Sequence, residues 1–340
     1  MKQIPVESTE FRTALVAWFK RDGRKLPWRE TADPYSILVS ELMLQQTLVT
    51  TVVSYYRRWL ERFPTIRALA NADETEVLLA WQGLGYYNRA RNLYRCAKII
   101  VAELNETFPS SVEALIRLPG IGRYTAGAIV SFAFDRPAPI VDGNIARAMS
   151  RLLDLQEPVD QPRGSKIIWD LASRYVQGAS PRLLNSALME LGAVVCLRRK
   201  PLCAVCPVRS FCQTKDPESL PRKKARPKIE RKTELHFFTV KDGRVLLQQN
   251  LGKRWQGLWT LPALPPNSKS TASFDATVPS LSLSYPITRF IIRLNVFLSE
   301  PPDSLRAGQA WHPVESLDGL PMPSPHRRAV QMVLQRSWRI

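Results

Sequence analysis

The spacing of apolar residues divides the chain into a helical part and a strand-rich part. From residue 8 to about residue 212, apolar positions recur at helical spacing, which predicts amphipathic helices joined by short turns containing Pro and Gly. The stretch "DPYSILVSELMLQQT" places Asp33 as an N-cap before Pro34, the usual start of a helix. Further helical segments are predicted at 90–104, 111–117, 122–133, 144–153, 165–176 and 182–195.

The pattern changes after residue 213. The stretch "TKDPESLPRKKARPKIERKT" is basic, contains several prolines and shows no apolar periodicity, so residues 214–233 are predicted to form a linker. Beyond it, two β-rich runs flank Asp242-Gly243, which predicts a hairpin, and "RFIIRLNVFLS" predicts another strand. With a terminal helix in "PSPHRRAVQMVLQRSW", we predict a helical domain at 1–213 and an α+β domain at 234–340.

The charge of the chain indicates the kind of partner. Its 340 residues include 48 Lys and Arg against 30 Asp and Glu, a formal charge of +18, which favours a polyanion. Membrane surfaces and RNA fit the charge alone, as does a basic protein without such a partner. No apolar run is long enough to span a bilayer and the start lacks the regions of a signal peptide, so we expect a cytoplasmic protein.

Four cysteines cluster in "CLRRKPLCAVCPVRSFC". In a cytosolic chain such a cluster indicates a metal centre, because disulfides would be reduced there. Zinc sites usually pair two close-spaced cysteine knuckles, whereas this loop has one; a [4Fe-4S] cluster suits it, and zinc remains the alternative. The fifth cysteine, Cys96, is interpreted as a packing residue. The predicted ligands are Cys196, Cys203, Cys206 and Cys212, and the same loop carries Arg198, Arg199 and Lys200.

The stretch "LPGIGRYTAGA" places Gly120 and Gly122 just before a predicted helix. Glycines let the chain turn tightly and leave backbone N–H groups facing outward at the start of a helix, where they bind phosphate. A plain helix–helix joint is the alternative. With the preceding amphipathic segment and the basic charge, residues 111–128 are interpreted as a helix-hairpin-helix that holds a nucleic-acid backbone without reading its sequence.

Two carboxylates are candidates for chemistry. Glu41 lies on the apolar stripe of its helix, where burial would raise its pKa toward that of a general acid. The alternative is a buried glutamate neutralised by an arginine. Asp142 follows an apolar run and is a natural N-cap, which would explain it without any chemistry. Functionally, a protonated and an ionised carboxylate suit cleavage of a glycosidic bond through an oxocarbenium-like state.

These motifs, in this order, resemble the MutY adenine DNA glycosylases of the helix-hairpin-helix superfamily, which also includes endonuclease III. The resemblance rests on "SELMLQQT", "GLGYYNRARNL", "LPGIGRYTAGA", "IVDGN" and the four-cysteine loop, and "RWQGLWTLPAL" resembles the entry to the Nudix-like domain of that family. It implies a monofunctional enzyme of base excision repair, expected to be monomeric and associated with the nucleoid. The implied substrate is double-stranded DNA in which adenine faces 8-oxoguanine or guanine, and the implied cofactor is a [4Fe-4S] cluster in the 196–212 loop.

The resemblance also implies roles for individual residues. Glu41 matches the acid that protonates the leaving adenine at N7, and Asp142 matches the carboxylate that stabilises the oxocarbenium ion beside Asn144. Gln46 and Tyr86 match residues that wedge into the base stack as adenine is flipped out. Bifunctional relatives carry a lysine where this chain has Tyr124, and a phenol cannot form their Schiff base.

The chain departs from the family pattern at two places. Ser186 stands where members have Gln or Glu against the flipped adenine, and Thr288-Arg289 stands where they have Ser-His in the loop that contacts the oxidised guanine. An acidic Nudix box is also missing from the sequence, which argues against pyrophosphohydrolysis. The alternatives are a thymine glycosylase acting at T·G mispairs and a non-catalytic iron–sulfur DNA-binding protein.

Overall fold

The computed structural model describes residues 5–178, 180–225, 227–252, 254–264 and 278–337. Its first part is helical, as the periodicity predicts. Asp33 caps the second helix by accepting hydrogen bonds from the N–H groups of Tyr35 and Ser36, 3.2 and 2.9 Å away, which confirms the predicted start. The helices are α1 Thr9–Asp22, α2 Pro34–Leu44, α3 Val49–Arg62, α4 Ile66–Asn71, α5 Glu74–Ala80, α6 Asn88–Glu103, α7 Val112–Ile116, α8 Arg123–Phe134, α9 Gly143–Leu152, α10 Pro162–Tyr175 and α11 Pro181–Glu190.

The helix predicted over 182–195 is interrupted. After α11 the chain continues as a π-helical turn, Leu191–Val195, which leads directly into the cysteine loop. A methyl group on Gly192 would lie 2.8 Å from Cβ of Asn144, so the chain passes α9 at a distance that only glycine allows. This close approach brings the loop to the helix that Asp142 caps.

The second part combines two sheets with a terminal helix, α12 Ser324–Ser337. In one sheet the central strand β6 pairs with β1 in parallel and with β5 antiparallel; in the other, β3 lies between β7 and both β2 and β4. The predicted hairpin is confirmed, with Asp242 and Gly243 both at positive φ. The strands are β1 Glu230–Phe238, β2 Val240–Lys241, β3 Arg244–Gln249, β4 Trp259–Thr260, β5 Leu281–Ile287, β6 Phe290–Leu298 and β7 Gln309–Pro313.

The chain packs into two units. Their bounds differ from the predicted domains at residues 72–91, which belong to the second unit, and in the predicted linker, which is divided between the units. The first unit is Met1–Asn71 with Asn92–Ala225, and the second is Ala72–Arg91 with Arg226–Ile340. The start of the predicted linker is bound to the first unit, since the N–H groups of Gln213 and Thr214 donate to the carbonyl groups of Leu152 and Arg151. Its end is part of β1, which begins at Glu230.

Each unit has its own apolar core. In the first, α1, α9, α10 and α11 bury large side chains such as Phe11, Met149 and Tyr175. In the second, one face of the sheets packs against α12 through residues such as Leu247, Val296 and Val330. None of the helices in the described part of the chain is long and apolar enough to cross a membrane.

Candidate active site and nucleic-acid interface

Glu41 lies on the most deeply buried helix of the first unit. Every residue of α2 from Tyr35 to Met43 is buried, and Glu41 itself is only 3% exposed. The helix packs against α3 and α8. A carboxyl group there has lost most of its hydration, and this loss penalises the charged form.

The carboxyl group of Glu41 faces a pocket of about 410 Å³, measured with its open mouth. Most of the wall is apolar, with polar groups from a few side chains, which is the usual composition of a small-molecule site. Ser186, one of the two departures from the family pattern, lies in this wall. The lining residues are Trp28, Arg29, Ile37, Ser40, Glu41, Leu44, Phe132, Arg182, Ser186 and Met189.

Three of the predicted catalytic side chains interact. Burial raises the pKa of Glu41 to about 7, while the hydroxyl of Tyr124, which donates a hydrogen bond to the carboxyl group, opposes the shift; the nearby charge of Asp142 adds to it. Burial also raises the pKa of Tyr124 well above its ordinary value, and both carboxylates add to that effect. Tyr124 is therefore a neutral phenol that is hydrogen-bonded to Glu41 and lies near the charge of Asp142.

Asp142 is the N-cap of α9, as predicted. One carboxylate oxygen accepts a hydrogen bond of 2.7 Å from the N–H of Ile145, and the backbone and side chain of Asn144 donate as well. Burial raises the pKa of Asp142 above its ordinary value, although these donors and the charge of Arg147 favour the ionised form. The capping role and a role in chemistry are compatible, because a capping carboxylate accepts hydrogen bonds in its ionised form, which is also the form that can face a developing positive charge.

Arg147 connects the Asp142 cap to the cysteine loop. Its guanidinium donates to the side-chain oxygen of Asn144 at 2.9 Å and to the carbonyl oxygens of Gly192 and Cys196 at 2.6 and 2.8 Å. Sequence reasoning missed this residue, because its role depends on a segment 45 positions away in the chain.

A buried glutamate neutralised by arginines does exist in the first unit, but it is Glu190. Its side chain is 0% exposed, and its carboxylate accepts bonds from Arg24 at 2.7 and 3.0 Å and from Arg29 at 2.8 Å. Burial alone would raise the pKa of Glu190, but the two arginines outweigh it and hold the pKa below its ordinary value. Sequence reasoning missed this network too.

The four cysteines line one cavity, whose space together with the solvent at its open mouth is about 410 Å³. Arg151, a fully buried arginine, holds the loop: its guanidinium donates to Cys196 Sγ at 3.3 Å and to the carbonyl oxygens of Leu197, Arg198 and Leu220. Within the described residues, no group of three or more His, Cys, Asp or Glu side chains is arranged to hold a single metal ion.

The basic residues predicted in this loop are exposed. Arg198, Arg199 and Lys200 all face solvent, while the N–H of Lys200 is bound to Glu218 Oε1 at 2.7 Å. The loop therefore presents three cationic side chains from an anchored backbone, which suits contact with phosphate groups.

The predicted hairpin connects α7 to α8. Gly120 has φ +76°, and a Cβ atom there would lie 2.5 Å from Cβ of Asn92, so the turn requires glycine. Gly122 is the N-cap of α8 and provides no side-chain acceptor for the first N–H groups of that helix. Both glycines are exposed, so an anion can reach the start of α8.

The remaining predicted DNA contacts lie at exposed, bent positions of the backbone. Gln46, in the first unit, and Tyr86, in the second, both have positive φ values, 58° and 49°. Residues other than glycine rarely adopt this backbone conformation, and such strain is concentrated at functional sites. Thr288, with φ 50°, and Arg289 form the exposed turn between β5 and β6. Arg289 makes an ion pair with Glu230 at 3.2 Å.

The chain is similar in sequence to known DNA repair proteins. Residues 39–168 match the HhH-GPD superfamily of base excision DNA repair proteins. The chain is 44% identical over 218 residues to human adenine DNA glycosylase, a match that covers 62% of this chain and 40% of the human protein. It is 37% identical over 259 residues to adenine DNA glycosylase of Buchnera aphidicola (subspecies Baizongia pistaciae), covering 74% of this chain and 73% of that one.

A solved structure of a thermostable thymine-DNA glycosylase superimposes with a TM-score of 0.54 at 28% identity, covering 59% of this chain and 93% of that one. The match thus takes in nearly all of that smaller protein. The chain spans less than half the length of its human relative, so the additional parts of the human protein have no counterpart in this comparison.

Proposed function

We propose a function for a chain that belongs to the adenine DNA glycosylase family of HhH-GPD repair proteins: it removes adenine from DNA by hydrolysing the N-glycosidic bond. The observation that carries this proposal is the buried carboxyl group of Glu41, whose pKa is raised to about 7 in the wall of a pocket. Such a group is protonated in a large fraction of molecules at neutral pH and can act as a general acid.

In the proposed reaction, adenine enters the pocket after it is flipped out of the duplex. Glu41 gives its proton to N7 of adenine, the bond between N9 and C1′ breaks, and its electron pair leaves with the base. Asp142 faces the positive charge that develops on the sugar. Water then adds to C1′ and gives a proton to the Glu41 carboxylate, which restores the acid and leaves an abasic site. Tyr124 has no amine, so no Schiff base forms and the strand is not cut.

Exposed groups support the proposed DNA contacts. The start of α8 at Gly122, together with the cations of the cysteine loop, supports backbone binding by the first unit. Gln46 and Tyr86 are the proposed wedges. The turn at Thr288 and Arg289 is the proposed contact with 8-oxoguanine opposite the adenine, and the second unit that carries it is the proposed Nudix-like domain.

The cysteine loop fits the proposed [4Fe-4S] cluster. The four thiols line a cavity, and a polynuclear cluster fills such a space, whereas a zinc ion needs four sulfur ligands about 2.3 Å from one point. When bound, the cluster would hold the loop and its three cations in one conformation. Iron and sulfide content measured on purified protein tests this assignment, and stoichiometric zinc without sulfide would contradict it.

One experiment separates the proposed activity from its alternatives. Release of labelled adenine and thymine is measured under single-turnover conditions on duplexes containing A·8-oxoguanine, A·G and T·G, with Asp142→Asn as the inactive control. We expect adenine release from the first two duplexes. Release of thymine from T·G instead would support the thymine glycosylase interpretation, and tight binding without release of any base would support the non-catalytic one.

A further inference from the structure

Glu190 has no part in the reaction proposed above, yet it is bound directly to a wall of the pocket. It is the last residue of α11, and its carboxylate makes an ion pair with Arg29 Nη2 at 2.8 Å. Arg29 lines the same pocket as Glu41. A fully buried carboxylate that anchors a pocket cation is in a position to affect the chemistry of that pocket.

The contacts of Arg29 show how it is held. Besides the ion pair with Glu190, it donates to the carbonyl oxygen of Arg24 at 3.0 Å, and its guanidinium stacks over the ring of Phe19 with a centroid distance of 5.2 Å. Neither the Arg24 carbonyl nor the Phe19 ring carries a net charge, whereas Glu190 supplies a full negative charge to Arg29. Among the groups that act on Glu41, Arg29 ranks after burial, Tyr124 and Asp142.

We propose that Glu190 is a positioning residue of this site, which binds and neutralises Arg29 so that its charge does not hold the Glu41 carboxyl in the ionised form. The inference rests on the proposed function, because it concerns the acid of that reaction. It assigns a task to a residue that does not itself line the pocket.

The direction of the effect follows from the groups around Glu41. Tyr124 of α8, Asp142 at the start of α9 and Arg29 face it, and Arg182 of α11 lies in the same pocket wall. Arg182 is itself bound to the carbonyl oxygens of Arg29 and Thr31. In Glu190→Gln, Arg24 and Arg29 lose their counter-ion, and the added positive potential stabilises the Glu41 carboxylate. The pKa of Glu41 then falls, and the proton needed for the reaction is lost at a lower pH.

Two substitutions in the network give opposite expectations. Glu190→Gln should move the alkaline limb of the rate profile down by about one pH unit, which is about a tenfold lower rate near pH 8 and little change near pH 5.5. Arg24→Gln removes a positive charge and leaves Glu190 entirely to Arg29, so the limb should stay in place or move up. Structural damage alone would lower the rate of adenine release by both variants at every pH.

The measurement is single-turnover adenine release against pH for wild type, both variants and Glu157→Gln, a surface ion-pair control. The ¹³C resonance of the Glu41 carboxyl, assigned with Glu41→Gln, follows its titration directly. This titration can be measured even if wild type releases no adenine. That absence of activity would contradict the proposed function without testing the role of Glu190. If the alkaline limb of the rate profile lies at the same pH in all four proteins and the Glu41 carboxyl titrates at the same pH, the role of Glu190 is overturned. If Glu190→Gln does not fold, a downward shift in Arg24→Gln overturns it.

Discussion

At the scale of single residues, the first unit contains two buried glutamates with opposite properties. Glu41 is bound by a neutral phenol and lies near the charge of Asp142, and its pKa is raised to about 7. Glu190 is bound by two guanidinium groups, and its pKa is lowered. Both residues are at most 3% exposed, and the two guanidinium groups at Glu190 outweigh the effect of burial there, whereas no such pair acts on Glu41. Only Glu41 can act as an acid in the proposed reaction.

Glu41→Gln should lower the single-turnover rate of adenine release by about 10²–10⁴, because an amide cannot protonate the purine. Binding to the mispaired duplex should persist. In wild type the rate should fall as pH rises through about 7, since Glu41 must be protonated. The rate and the dissociation constant are measured from about pH 5.5 to about pH 9. A matched change at the exposed Glu103 should leave both unchanged; a Glu41→Gln rate within about tenfold of wild type would remove Glu41 from the role.

Tyr124→Lys should create strand cleavage through an imine that borohydride traps, because the amine would stand close to Glu41 and Asp142, the two groups proposed to act at the glycosidic bond. The matched variant Tyr124→Phe removes the hydroxyl without adding an amine. It should give no adduct and should raise the pKa of Glu41 further, since the lost hydrogen bond opposes the shift. Normal base release by Tyr124→Lys without any trapped adduct would mean that position 124 lies too far from the sugar.

At the scale of secondary structure, the hairpin between α7 and α8 offers a pair of glycines with different requirements. Gly120→Ala places Cβ 2.5 Å from Asn92 in a backbone with φ +76°, whereas Gly122→Ala meets no atom within 4 Å. The first change should lower stability by about 1–3 kcal/mol and weaken binding to any duplex. The second should leave the fold unchanged. Thermal unfolding and affinity for an undamaged duplex check both, and equal stability of the two variants would contradict the structure of the turn.

The elements that could be predicted from the sequence are those determined by residues a few positions apart in the chain. The Asp33 cap, the turn at Asp242-Gly243 and the break before α8 each follow from side chains within a few positions. The first residues of β1, 230–233, could not be predicted in this way. They lie among basic residues that resemble a linker, and their parallel partners in β6 stand 60 positions further along the chain, as the pairing of Glu230 with Phe290 shows.

The same distinction applies to the site. Glu41 and Asp142 could be found because a carboxylate on an apolar helix face and one before a helix are both visible in short stretches of sequence. The bond between Arg29 and Glu190 spans 161 positions, and the link from Arg147 to Gly192 spans 45. No local pattern indicates such pairs. The residues that adjust the charge of the site were therefore missed, whereas the two candidate carboxylates were predicted.

At the scale of the whole molecule, the division into two units affects how a lesion-reading role can be tested. A deletion from residue 234 onward, the boundary predicted from sequence, would cut through β1. It would also remove partners of the 72–91 segment, such as the Met322 carbonyl that accepts from the Tyr87 hydroxyl at 3.2 Å. Such a deletion would change the surroundings of Tyr86 together with the recognition of the lesion. Point substitutions in the full chain avoid this.

The turn at Thr288 and Arg289 provides those substitutions. Compared with guanine, 8-oxoguanine has an extra oxygen at C8 and a donor at N7, and the exposed hydroxyl of Thr288 can bond to either. Thr288→Ala should therefore shrink the preference for A·8-oxoguanine over A·G, while Ser284→Ala, an exposed change in β5, should not. Single-turnover rates and dissociation constants on both duplexes measure the preference, and an unchanged preference would show that this turn does not read the lesion.

Arg289 should contribute affinity without discrimination, since a long cation suits a phosphate better than a base edge. It is half-exposed and paired with Glu230, so it must leave that partner to reach the DNA. Glu230→Gln should consequently strengthen binding to both duplexes at low salt, and Arg289→Ala should weaken binding to both and reduce the slope of log K against log salt by about one. Titrations at several salt concentrations measure this slope. A loss of affinity confined to the 8-oxoguanine duplex would instead place the Arg289 guanidinium on the lesion itself.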